Sequence, residues 1–278
     1  MTRQLSLCAD DFGCSESVDR AILQLVARRR LTEVSCIVNL PRWPGAVQEL
    51  LALPAVAAGV VRLGLHFNLT EGRPLSAALR WHWPQLPSLP RLLMLAPLRL
   101  LPRAALRDEL RAQLASFGDA VGASPAHLDG HQHVHHLPVI RDGVLDELSS
   151  RPALRVRHTG CLPGPGFGFK RRVIMATGGS VLGRALVRRG RHANTALLGV
   201  YDFQDPDYRA HMRRWLAAAP ASGGLIFCHP GLDAAAPGDP IAVARVRELS
   251  YLDSPAFDED LAASGTTLDF SAQNSSRG

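Results

Sequence analysis

Lysine is nearly missing from this chain: Lys170 stands alone among 31 Lys and Arg residues. The formal charge of +6 is therefore carried by arginine, and the clusters Arg28-Arg29-Arg30, Lys170-Arg171-Arg172 and Arg188-Arg189 have no aromatic residues interleaved for base stacking. That pattern argues against a nucleic-acid partner. Cysteine is sparse as well: Cys8, Cys14, Cys36, Cys161 and Cys228 are odd in number, scattered and without a CxxC pair. Neither a disulfide framework nor a thiolate zinc site is suggested. No apolar run approaches the roughly 20 residues that span a bilayer. The opening MTRQLSLCADDFG has no apolar stretch followed by a small-residue cleavage site, and a cytoplasmic location is expected.

What the chain does have is the make-up of an ordinary folded protein: 278 residues, 46% hydrophobic and 20% charged. That length suits one α/β barrel, which takes about 250 residues. Apolar runs at residues 4–9, 33–39 and 61–69 read as strands, with helices at 16–29, capped by Ser15, and at 44–53 between them. Further strands are expected at 126–129, 154–158, 224–231 and 267–270, and helices at 104–121, 138–148, 173–188, 206–218 and 241–252. Alternating β and α segments imply parallel strands with helical crossovers, hence a doubly wound sheet or a barrel. One domain over residues 1–270 and a frayed tail over 271–278 are expected.

The rhythm breaks between about residues 73 and 103, a proline-rich insertion containing WHWP and LPRLLMLAPLRLLP. Its Trp81, Trp83, Leu92, Leu93, Met94 and Leu95 pack on the barrel, cover its mouth as a lid, or join a homodimer interface. The later GPGFGF lacks the lysine and Ser/Thr of a phosphate loop. It reads as a substrate lip.

Chemistry gathers at strand ends. Asp10-Asp11 close the first strand, His66 lies in the third, HLDGHQHVHH at 127–136 follows the next, and His229 follows LIFC. In parallel α/β folds ligands bind at the carboxyl ends of the strands, where the loops converge. Imidazoles with one carboxylate suit Zn²⁺, Fe²⁺, Ni²⁺ or Mn²⁺, and one Asp with two His leaves positions open for water. Successive side chains of a regular strand point to opposite faces. At a strand end that turns into a loop, however, one aspartate can bind metal while the other faces the water. A carboxylate there takes the proton of an activated water, and His229 protonates a leaving amine, a division of labour suited to amide hydrolysis.

In the same order, and along almost the whole chain, ADDFG, GLHFNLTEGRPL, PAHLDGHQHVHHLP, FCHPG and RVRELSYLDS resemble the YdjC/ChbG/HpnK family of carbohydrate deacetylases. The resemblance implies a distorted TIM-like (β/α) barrel. It also implies metal-dependent removal of an N-acetyl group from an N-acetylglucosamine unit, in an oligosaccharide or in a glycolipid such as the hopanoid-linked kind. The implied cofactor is a divalent ion, magnesium or zinc, held by Asp11, His66 and His131. Asp10 is implied as general base and His229 as acid or oxyanion partner. Arg245 is expected to orient Asp10 or to form an ion pair within its own helix. Asp129, His135 and Glu248 are expected near the substrate. At Gly130 and Gln132 the chain departs from the family pattern, leaving His133 and His135 open between metal, substrate and support of the loop. His127 and His136 read as structural.

Other readings explain less. A non-haem iron oxygenase shares the two-His, one-carboxylate pattern, but on an antiparallel barrel. A glycosidase using Asp10 and Asp11 needs carboxylates about 5 Å or more apart across the bond it cleaves. A sugar-binding protein without turnover would bind ligand and release no acetate.

Overall fold

The computed structural model describes residues 3–191 and 193–270. The tail expected over 271–278 lies outside them. β1 (Arg3–Phe12), β2 (Glu33–Cys36), β3 (Arg62–Phe67), β4 (His127–Gly130), β5 (Arg155–Val156), β6 (Leu197–Leu198), β7 (Gly224–Cys228) and β8 (Thr266–Leu268) form one sheet. Every pairing is parallel, in the order β5-β4-β3-β2-β1-β7-β6, with β8 added at β1. The sheet curls into an incomplete barrel wrapped by helices, the distorted TIM-like form that was expected.

β1 is the hub. Leu5, Leu7, Cys8, Ala9 and Phe12 are almost wholly buried, as a strand covered on both faces must be. Its length lets it pair β8 at Arg3 to Leu5, β7 at Leu5 to Ala9 and β2 from Cys8 onward. The helix Glu16–Ala27 then crosses over, with Ser15 accepting from the Val18 N–H at 3.4 Å and Val18, Ile22, Leu25 and Val26 turned inward. Burying each of these apolar side chains contributes on the order of 1.5–3 kcal/mol.

Among the described residues no strand pairing between β5 and β6 closes the barrel. Asn194 stands in for the ladder: its Oδ1 accepts from the His158 N–H at 2.7 Å, and its Nδ2 donates to the His158 carbonyl at 3.0 Å. β6 is two residues long, too short to give the alternation that marks a strand in sequence. The helix expected over 173–188 is also interrupted. Gly168–Ile174 and Ser180–Arg188 are joined by a π-turn at Met175–Gly179, where Gly178, at φ 153°, packs so closely on the His136 carbonyl that no side chain fits.

The 73–103 segment contains the short helices Ala77–His82 and Leu89–Leu95 and leads into the long helix Arg103–Val121. Leu79, Trp83, Leu86, Leu92 and Leu101 are buried in the core, whereas Trp81, Met94, Leu98 and Leu100 are between 62% and 82% exposed. The segment therefore has a packed side and an open apolar side. Among the described residues no helix is long and apolar enough to cross a membrane.

Candidate metal centre

The carboxyl ends of β1, β3, β4 and β7 open on one cavity of about 550 Å³, with Asp10, Asp11, His66, His131, His229 and Arg245 in its wall. That volume lies within the range of small-molecule sites. Adjacent aspartates reach the same cavity because β1 is not regular at its end. Its register against β2 runs from Ala9 opposite Val34 to Phe12 opposite Cys36, a bulge, and Asp11 has a left-handed φ of 71°. Such a backbone costs of order 1–3 kcal/mol, and strain of this kind collects at functional sites.

Asp11 Oδ1 lies 2.9 Å from His131 Nδ1 and 3.3 Å from His66 Nε2. The outer nitrogen of each imidazole meets a carboxylate: His66 Nδ1 is 2.6 Å from Asp129 Oδ1, and His131 Nε2 is 3.0 Å from Glu71 Oε1. Two imidazoles and a carboxylate, with both imidazoles held by further carboxylates, form a donor set that suits a divalent cation. The three ligand atoms lie within 4.8 Å of one another. Two other groupings, Cys8 with Glu33 and His127 and Cys8 with Asp10 and Asp129, meet the same distance test. Arginines already fill them: Glu33 accepts from Arg62 and Arg155 at 2.9 and 3.0 Å, and Asp10 and Asp129 both pair with Arg157.

Electrostatics single out the same three residues. Burial alone would raise the Asp11 carboxyl, but Arg245, His131 and His66 outweigh it and hold it well below the usual carboxylate range. Burial would likewise lower both imidazoles. Asp129 and Asp10 instead raise His66 to about 10, and Asp11 and Glu71 raise His131 to about 9.

The arginine assignments differ from those expected. Asp10 is gripped by Arg157, whose NH1 and NH2 each donate to a carboxylate oxygen at 2.6 Å. Arg245 instead donates to Asp11 Oδ2 at 2.8 Å and to Asp239 at 2.6 Å. The bulge explains the exchange, since it sends the two carboxylates to different partners: Asp10 to Arg157, just past β5, and Asp11 to the helix Ala242–Leu252. Arg245 forms no ion pair with Glu248 either. Glu248 accepts from the Tyr201 hydroxyl at 2.5 Å and from the His229 backbone N–H at 2.6 Å, which fixes the turn that carries His229.

The three residues expected near substrate, Asp129, His135 and Glu248, are fully buried and do not line the cavity. Asp129 accepts from Ser35 at 2.6 Å as well as meeting His66, and His135 Nε2 donates to the Arg157 carbonyl at 3.1 Å. They stand behind the cavity wall and orient what faces it. His133 does face the cavity, through consecutive left-handed residues, Gln132 at φ 53° and His133 at φ 62°. Burial and the neighbouring His136 and His135 push His133 well below the usual imidazole range, so it is neutral. His229 lies edge-on between Phe203 and Phe227, with ring centroids 5.3 and 5.5 Å away.

Sequence reasoning missed Arg157 and Glu71. An arginine in a strand covered on both faces demands a buried carboxylate, and that signal was available in LRVRH. Glu71 stood unassigned inside GLHFNLTEGRPL.

The profile of the YdjC-like protein family matches residues 4–263. A carbohydrate deacetylase of Homo sapiens is 36% identical over 143 residues, which cover 49% of this chain and 42% of that protein. The carbohydrate deacetylase of Mus musculus is 37% identical over 143 residues, 49% of this chain and 44% of that protein. The match thus spans less than half the length of either relative. Among solved structures, a proposed cellobiose-phosphate cleavage protein of Enterococcus faecalis superposes with a TM-score of 0.71 over 96% of this chain and 97% of that one, at 18% identity, a likeness of fold.

Proposed function

The chain belongs to the YdjC-like protein family, and from that premise we propose that it is a metal-dependent amide hydrolase removing the N-acetyl group from an N-acetylglucosamine-containing sugar. The observation that carries this reading is the convergence of Asp11, His66 and His131 with Asp10 and His229 on one cavity. The relatives named carbohydrate deacetylases support the reaction class.

Asp11, His66 and His131 hold the ion, and their nitrogen-rich set favours zinc over magnesium. When bound, the ion supplies a Lewis acid for the acetamide carbonyl and lowers the pKa of a water. Asp10 accepts the proton of the attacking water. The grip of Arg157 on both oxygens fixes the direction of that carboxylate. As the C–N bond breaks, His229 delivers a proton to the departing nitrogen, so acetate and a free amine leave. Phe203 and Phe227 hold its ring in place, and Glu248 holds its backbone. Arg245 anchors Asp11 from the outer side.

The sugar is an oligosaccharide unit or the head of a glycolipid. The exposed Trp81, Met94, Leu98 and Leu100 favour a lipid aglycone, of which a hopanoid is one kind, lying along the 73–103 segment. The test is acetate release from N-acetylglucosamine oligosaccharides and glycolipids by protein stripped of metal and refilled with single divalent ions. Release is expected with metal alone. A protein that holds metal and sugar but releases no acetate would make this a binding protein.

A further inference from the structure

The loop after β3 carries more ordered polar chemistry than a link between His66 and the next helix requires. Asn68 is fully buried and uses its whole side-chain amide. Its Oδ1 accepts from the Thr70 and Glu71 N–H groups at 3.0 and 3.1 Å, and its Nδ2 donates to the Glu71 carbonyl at 2.8 Å and to Asn39 Oδ1 at 3.0 Å. Asn39 adds a second donor to the Glu71 carbonyl, at 3.1 Å. Behind them Gln113 and Glu109, both fully buried on the helix Arg103–Val121, continue the network. Gln113 exchanges hydrogen bonds with the Asn68 backbone at 3.1 and 2.8 Å, and Glu109 accepts from the Leu75 and Ser76 N–H groups at 3.0 and 2.7 Å. Gly72 completes the turn at φ 76°, where an added Cβ would sit 2.6 Å from Leu40 Cδ2.

Buried polar groups joined in such a network make a segment rigid. What this network fixes, from both sides of its backbone, is Glu71. The Glu71 carboxylate, with a side chain 42% exposed, reaches into the cavity and meets His131 Nε2 at 3.0 Å.

We propose that Glu71 is a positioning residue of the metal centre: it accepts the Nε2–H of His131, leaves the Nδ1 lone pair facing Asp11 and His66, and so sets how tightly the site binds a divalent ion. The inference rests on the reading of Asp11, His66 and His131 as metal ligands. It makes the two imidazoles mirror images. His66 gives Nδ1–H to Asp129 and offers Nε2, whereas His131 gives Nε2–H to Glu71 and offers Nδ1. A carboxylate on the outer nitrogen fixes the tautomer and raises the basicity of the ligand, and losing it typically lowers metal affinity about 10–100-fold. Asn68 acts one step further out, through Glu71.

Zinc affinity is measured by competition with a chromogenic chelator for the full chain and for Glu71→Ala, Glu71→Gln, Asn68→Ala and the Glu71→Ala/Asn68→Ala pair. Histidine ¹⁵N spectra of the zinc-loaded protein report the tautomers. Glu71→Ala is expected to weaken zinc about 10–100-fold, with Glu71→Gln between it and the parent. Asn68→Ala should weaken zinc too, and the pair no more than Glu71→Ala alone. His131 should carry its proton on Nε2 in the parent and lose that preference in Glu71→Ala. Zinc binding by Glu71→Ala within about twofold of the parent, well under the range for such a carboxylate, overturns the proposal, as does a parent His131 protonated on Nδ1. Glu71 is partly exposed, so its variants answer the question even if Asn68→Ala folds poorly. A parent that binds no zinc or other divalent ion would instead remove the metal reading itself.

Discussion

The two histidines proposed as metal ligands are served by unlike regions of the molecule. His66 leans into the barrel interior, where Asp129, Ser35, Arg157 and Asp10 form a buried network. His131 leans outward, to a carboxylate on a rim loop whose own side chain is 42% exposed. Buried charges are expensive to leave unpaired, so the interior half of the site is inseparable from the fold. The rim half is screened by water and adjustable. On the proposed reading, a metal centre built this way would have one ligand set by folding and one tuned by a loop.

The largest effect should come from breaking the interior. Arg157→Ala removes the buried guanidinium that Asp10 and Asp129 share, and a loss of about 3–5 kcal/mol in unfolding free energy is expected from urea titration. A loss below about 1 kcal/mol, the scale of an exposed ion pair, would erase the distinction between the two regions. Asp11→Asn strikes between them. Metal affinity should fall by more than the roughly 10–100-fold of an outer carboxylate, because a ligand is removed.

Acidity sharpens the contrast. His66 and His131 are raised to about 10 and about 9, above the ordinary value of about 6.5. Their contribution to the stability of the metal-free protein is fully present below pH of about 6.5 and is lost as the pH rises through about 9 to 10. Melting temperature without metal should fall across that window, and with zinc bound it should not. Since the ion displaces those protons, its apparent affinity should rise with pH, by about tenfold per unit for each proton released, up to about pH 9. An affinity that is flat from pH 6 to 9 would mean that the imidazoles are neutral before metal arrives. The smallest effect on the fold is expected from the open side of the 73–103 segment. Replacing Trp81 and Met94 by serine should change stability by no more than about 0.5 kcal/mol, while lowering acetate release from a glycolipid relative to a free oligosaccharide.

Much of this was legible in the sequence where a residue's neighbours along the chain decide its role. The strands expected at 4–9, 33–39, 61–69, 126–129 and 224–231 each overlap a strand of the sheet, several of them running past its end. The strand-end placement of Asp11, His66 and His131 foretold their meeting. What stayed hidden depends on partners distant in sequence. Arg157 finds Asp10 147 positions away, and Arg245 finds Asp11 across 234, so no local pattern could say which arginine takes which aspartate. The bulge at Asp11 is a backbone event without a glycine or proline to signal it. Asp129, His135 and Glu248 looked like substrate contacts because polar residues in a motif invite that reading. Their complete burial places them behind the cavity wall.

The most direct test sets Asp10→Asn beside Asp11→Asn, measuring bound metal by elemental analysis and acetate release from an N-acetylglucosamine oligosaccharide on the same samples. The account predicts that Asp11→Asn loses metal and turnover together, while Asp10→Asn keeps its metal and loses turnover. Full acetate release by Asp10→Asn, or full metal occupancy in Asp11→Asn, would contradict it.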